Sequence, residues 1–147
     1  MHQTAGILRE LRYGIDESSL YLRVTIAAGA GVEGAALLIE AAGRPSGPGE
    51  AGDVTGASVP LAGPARGVPA WFGRAAVAGE DEGAYVREQY VEARIPFVRF
   101  GVGAGEPLEW RLSVSRAGRP VEVVPRDGAF HVERPRVDRR LTHWSAT

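Results

Sequence analysis

The groups with which this chain could move a proton, hold a metal or attack a substrate are few, and their spacing suits none of those tasks. Its three histidines stand at positions 2, 131 and 143. Metal sites are usually built on local pairs such as H-x3-H, and the sequence has none. Cysteine is absent, which removes thiolate ligands, disulfides and a cysteine nucleophile together. Glu50 and Asp53 are too few for calcium, which takes about six to eight oxygens. A Ser–His–Asp arrangement leaves no local signature, because its members lie far apart in a chain. The G-x-S-x-G elbow that often carries the serine is missing. Gly101-Val102-Gly103-Ala104-Gly105 lacks the helix and lysine that follow in a phosphate cradle.

The carboxylates add little. Glu80-Asp81-Glu82 lies between Gly79 and Gly83, the composition of a solvated turn. Glu88 and Glu92 fall on one face of a strand, but four residues of extended chain separate them by ~13 Å. Glycosidic chemistry uses separations of about 5–9.5 Å. Pairing with Arg87, or with Arg94 across strands, is their expected fate. The expectation is a chain without catalytic residues, metal or cofactor. Aromatic residues remain. Sugar-binding sites combine flat apolar walls with a few aimed polar groups, and Trp71, Tyr85 and Tyr90 are the outward candidates for such a wall. By alternation Trp110 belongs to the core, and Trp144, beside His143, anchors the tail.

The elements that must position these residues are strands. Leu20, Leu22, Val24 and Ile26 share one face while Tyr21, Arg23 and Thr25 take the other, the period of two that a half-buried strand requires. Leu108, Trp110, Leu112 and Val114 repeat it, and Val91, Ala93, Ile95 and Phe97 oppose Tyr90, Glu92 and Arg94. Shorter candidates cover 7–13, 35–41, 70–78, 120–124 and 129–133, for about eight strands. Pro96 lacks a backbone donor, so it ends its strand or sits at an edge. The Tyr13-Gly14-x-Asp16 segment, Ala117-Gly118 and Asp127-Gly128 supply turns. Arg12 and Arg23 are expected to pair with Glu10 or with carboxylates across strands. No stretch reads as an amphipathic helix of three turns. The fold expected is all-β, an antiparallel β-sandwich of immunoglobulin or jelly-roll type with about eight or more strands. Residues 43–67, with 11 Gly or Pro in 25 positions, read as one long loop.

Composition sets the frame. A chain of 147 residues with 44% hydrophobic content fits a single domain with a buried core. A formal net charge of −1 lacks the electropositive footprint of a nucleic-acid binder. Arg9, Glu10 and Arg12 interrupt the apolar run a secretory leader would need. The longest apolar stretch, 35–39, falls far below the ~20 residues that span a bilayer. A cytoplasmic location without membrane or nucleic-acid partners is expected. All 17 basic residues are arginine, a usage bias with no mechanism attached at this level.

Three stretches together resemble a known family. Met1-His2-Gln3 precedes ILRELRYGIDESSLYLRVT (7–25). Tyr90-Val91-Glu92-Ala93-Arg94-Ile95-Pro96-Phe97 leads through Phe100-Gly101 and Gly105-Glu106 to LEWRLSV (108–114). VEVVPRDGAFHVERP (121–135) is closed by His143-Trp144-Ser145-Ala146. In this order they resemble the C-terminal β-sandwich domain of some bacterial family-57 glycoside hydrolases, a DOMON-like fold related to family-9 carbohydrate-binding sandwiches. The resemblance covers nearly the whole chain except 43–67. It implies a non-catalytic accessory module whose partners are an oligo- or polysaccharide of α-glucan type and a separate catalytic domain. The alternative is a structural module that packs on such a domain or self-associates without binding sugar. DOMON relatives that hold haem use an axial Met and His, and the one Met here is Met1, so haem is not expected. The paired tryptophans and calcium of family-9 modules have no matching positions.

Overall fold

Alternating apolar residues give strands that must bury one face, and two such sheets bury each other. The computed structural model describes residues 2–3, 6–41, 55–73 and 81–136. In chain order the strands are β1 (His2–Gln3), β2 (Leu8–Ile15), β3 (Ser19–Ile26), β4 (Ala35–Ala41), β5 (Thr55–Pro60), β6 (Arg66–Gly67), β7 (Ala70–Phe72), β8 (Ala84–Arg87), β9 (Val91–Pro96), β10 (Pro107–Arg116), β11 (Arg119–Val124) and β12 (Phe130–Glu133). A 3-10 turn, Phe97–Phe100, follows β9. No described helix is long and apolar enough to cross a membrane.

The first sheet has the order β1-β2-β3-β9-β8-β6 and the second β11-β10-β4-β5-β7. All pairings are antiparallel, as expected for the sandwich. β12 shares with β11 the edge of β10 that faces away from β4, pairing with Pro107–Trp110 while β11 takes Leu112–Arg116. Between the sheets lie Leu20, Leu22, Val24, Val91, Ala93 and Ile95 from one side and Leu37, Ile39, Val59, Trp110, Leu112 and Val114 from the other, all buried. The three alternating runs on β3, β9 and β10 thus face inward as their period requires.

Three expectations need correction. Tyr13, Gly14 and Ile15 are not a turn but the end of β2, paired with Leu22, Tyr21 and Leu20, and the turn begins at Asp16. The segment 43–67 is not one loop: residues 55–60 form β5, which sits between β4 and β7, and 66–67 form β6. Gly56 explains why bulk alternation missed β5. The Phe72 ring lies over it, with Cζ 2.9 Å from where a Cβ would stand, so a neighbouring strand supplies the missing volume. The expected strand over 70–78 ends at Phe72. Residues 43–54, 74–78, His143 and Trp144 lie outside the described residues.

The connections are held by arginine. The Arg87 guanidinium donates to the carbonyls of Pro60 (2.9 Å), Gly63 (2.6 Å) and Pro64 (3.1 Å). Arg134 donates to Glu17 (2.9 Å) and Val102 (2.6 Å), and Arg116 to Gly31. A planar fork reaches several carbonyls at once, which a lysine ammonium on a single stem does poorly. Arg87→Ala should therefore lower unfolding stability by about 1–2 kcal/mol, and Arg87→Lys should recover less than half of that. Urea denaturation of the three proteins checks this, and equal stability of wild type and Arg87→Lys would contradict it.

Candidate functional site: a groove on the outer sheet face

The polar faces of β2, β3, β9 and β8 form one surface because their registers align. One row reads Gly14, Tyr21, Arg94, Ala84 across the four strands, and the next reads Arg12, Arg23, Glu92, Val86. Where the sheet's twist curves this face, the small residues Gly14 and Ala84 leave low ground beside Tyr21 and Arg94. A Cβ on Gly14 would meet nothing within 4 Å. The result is a groove of about 460 Å³ lined by these two rows and the intervening backbone. Its size falls within the range of small-ligand sites, roughly 300–1,000 Å³.

The groups in the groove are held from outside it. The Tyr21 hydroxyl donates to Asp16 Oδ2 at 2.8 Å. Asp16 Oδ1 accepts the backbone N–H groups of Ser18 and Ser19, both at 2.8 Å, as an Asx turn does. Burial pushes the Asp16 carboxyl up, but these hydrogen bonds outweigh it and the net value lies below the ordinary one. The same bond raises Tyr21, whose proton it retains. Arg94 grips Asp81 with two hydrogen bonds of 2.7 and 2.8 Å, the bidentate geometry that fixes a guanidinium plane. The Arg94 bonds, followed by the Gly83 N–H, hold the Asp81 carboxyl at about 2 against an ordinary 3.8. A carboxylate depressed on folding stabilises fully above its unfolded value. The clamp therefore holds above pH 3.8 and opens only as the pH falls through about 2.

Asp81 is itself anchored. Trp71 Nε1 donates to the Glu82 carbonyl at 2.8 Å, and Arg99 Nε to the Asp81 carbonyl at 3.0 Å. Asp81 and Glu82 are exposed, as their composition suggests, but their backbone carbonyls are tied down. At the other end, Arg23 pairs with Glu92 at 3.0 Å and lies over the Tyr90 ring at 5.0 Å. Arg12 pairs with Glu10 at 2.9 Å. These are the partners expected for Arg12 and Arg23. Glu92 takes Arg23, and Glu88 stands 3.9 Å from Arg66, rather than Arg87 or Arg94.

The three aromatic candidates do not share a surface. Tyr90 is 39% exposed and stands on the groove's sheet face, stacked under Arg23. Tyr85 is 5% exposed: it points inward opposite Ala93, whose small side chain leaves it room, and its hydroxyl donates to the Pro64 carbonyl at 3.4 Å. Only its backbone belongs to the groove wall. Trp71 lies on the second sheet, packed edge-on to Phe100 at 5.8 Å with Arg99 5.4 Å over its ring. The residues that the candidates omitted are Gly14, Tyr21 and Arg94. The signal for them was the polar face of β3 and β9, where Tyr21 and Arg94 alternate with core residues.

Chemically the groove is mainly apolar, with the Tyr21 ring, the guanidinium N–H donors of its arginines and the Glu92 carboxylate around it, each held by a partner. Those are the groups that hold a polyhydroxyl molecule by one flat face and several hydrogen bonds. Among the described residues no three His, Asp or Glu side chains gather into a metal-holding cluster. No family model, curated protein or solved structure matches the chain.

Proposed function

We propose that this chain is a non-catalytic carbohydrate-binding module that holds an α-glucan in the groove of its first sheet, attached to or acting beside a glycoside hydrolase of the kind its sequence resembles. The observation that carries the reading is Tyr21. Tyr21 lines the groove and is 41% exposed while its hydroxyl is tied to Asp16. An aromatic face held in place before ligand arrives loses little freedom on binding. Arg94 beside it, fixed by Asp81, presents N–H groups toward ligand hydroxyls. Tyr21→Ala should weaken retention on a glycogen affinity gel at least tenfold, the effect of losing one aromatic anchor worth about 1.5–2 kcal/mol. Retention equal to wild type would remove the groove from consideration.

A second reading, a module that packs on a catalytic domain or self-associates, is favoured by the edge of β2. There Tyr13 and Ile15 are exposed, past the two residues that β1 pairs. Sedimentation velocity across a concentration series distinguishes it by a dimer that Ile15→Ser dissolves.

A further inference from the structure

We infer that the groove is charge-selective, admitting uncharged hydroxyl-rich chains and turning away acidic ones, and that Glu92 is the residue that sets this preference. The inference rests on the reading of the groove as a glycan site. Three arginines are among its lining residues, Arg12, Arg23 and Arg94, and their partly exposed guanidinium groups would by themselves draw carboxylates and sulfates to this face. Each of them already faces a carboxylate. Arg12 Nε lies 2.9 Å from Glu10, Arg23 Nη2 lies 3.0 Å from Glu92, and Arg94 holds both oxygens of Asp81. Asp16 adds a fourth acid, bound to Tyr21.

An acidic ligand entering this surface meets carboxylates wherever it meets guanidinium groups, so the attraction of each cation is offset by repulsion from the acid paired with it. A hydroxyl both donates and accepts, so it accepts a hydrogen bond from a remaining guanidinium N–H and donates one from its own O–H to the carboxylate without displacing either. Of the four acids only Glu92 lines the groove itself; Glu10, Asp16 and Asp81 act from its rim. Glu92 is also half exposed, so it meets the ligand directly. Removing its charge leaves Arg23, fixed over Tyr90, as an unbalanced cation inside the groove.

The test measures affinity of the full chain for glycogen and for polygalacturonate by affinity electrophoresis at low salt. Wild type should hold glycogen at least tenfold more tightly. Glu92→Gln should raise the polygalacturonate-to-glycogen affinity ratio about fivefold, the factor worth the ~1 kcal/mol that unit charges roughly 4 Å apart exchange in water. That gain should vanish at ~1 M salt, where screening reaches only about 3 Å. Arg23→Gln combined with Glu92→Gln removes both charges and should return the ratio toward wild type, with melting curves confirming that both variants fold. Equal wild-type affinity for the two polymers, or an unchanged ratio in Glu92→Gln, overturns the charge selectivity and leaves the glycan groove standing. A chain that retains neither polymer, nor any glycan of an array, overturns both.

Discussion

Trp110→Ala should cost about 3–5 kcal/mol of unfolding free energy, whereas Trp110→Phe should fall within about 1 kcal/mol of wild type. Trp110 is fully buried in the middle of β10, between Ala41 of β4 and Phe130 of β12. Its ring meets Tyr13 edge-on at 5.1 Å and Phe130 at 4.8 Å, so alanine leaves a large cavity that two strands on fixed registers cannot close. The indole nitrogen is a different matter. Trp110 Nε1 is buried and has no hydrogen-bond partner among the described residues, and a buried donor without an acceptor costs about 1–3 kcal/mol. Phenylalanine removes that donor while keeping an aromatic ring against Tyr13 and Phe130, so the relief offsets most of the lost volume. Urea denaturation of the three proteins separates the two contributions. A Trp110→Phe protein as unstable as Trp110→Ala would show that the indole nitrogen is satisfied after all.

Trp110 also marks what is legible in the amino-acid sequence. Its inward position follows from Leu108, Leu112 and Val114 sharing its parity, and the same period places Tyr21 and Arg94 on polar faces of β3 and β9. A strand's face is a local property, so a run of seven or eight alternating residues fixes it. Tyr85 shows the lower limit. In the four residues of β8 no long alternation exists, and only the pairing with Ala93 reveals that the ring points inward. β5 shows a second limit, because Gly56, Ala57 and Ser58 carry too little bulk to signal a buried strand until Phe72 covers Gly56. The groove lay beyond reach for a third reason. It depends on Tyr21 standing beside Arg94, a register between strands distant in sequence that no local pattern encodes. The all-arginine composition gains a structural use in the same way. Arg87, Arg116 and Arg134 are spent on backbone carbonyls that the sequence gives no means of identifying.

Gly83→Ala should be the most damaging single substitution near the groove, lowering stability by about 3 kcal/mol or more and weakening glycogen retention with it. Gly83 adopts φ +73°, a left-handed conformation that costs an L-residue with a side chain roughly 1–2 kcal/mol. A Cβ there would also stand well inside contact distance of the Arg94 carbonyl oxygen and 2.9 Å from Pro96 Cδ. Both obstacles belong to β9, which lies between β3 and β8 and cannot retreat without opening two ladders. The loop must move instead. The Gly83 N–H bond to Asp81 Oδ1 (3.0 Å) and the Trp71 bond to the Glu82 carbonyl then go together, and with them the position from which Asp81 holds Arg94. Asp81→Asn serves as the comparison: it removes the charge that grips Arg94 while leaving the backbone at 81–83 unstrained. It should therefore weaken binding with a smaller loss of stability than Gly83→Ala. If Gly83→Ala unfolds the protein but Asp81→Asn binds glycogen as wild type does, the clamp is a fold element alone. If both weaken binding and only Gly83→Ala lowers the melting temperature by several degrees, the glycine acts on the groove through the carboxylate that it positions.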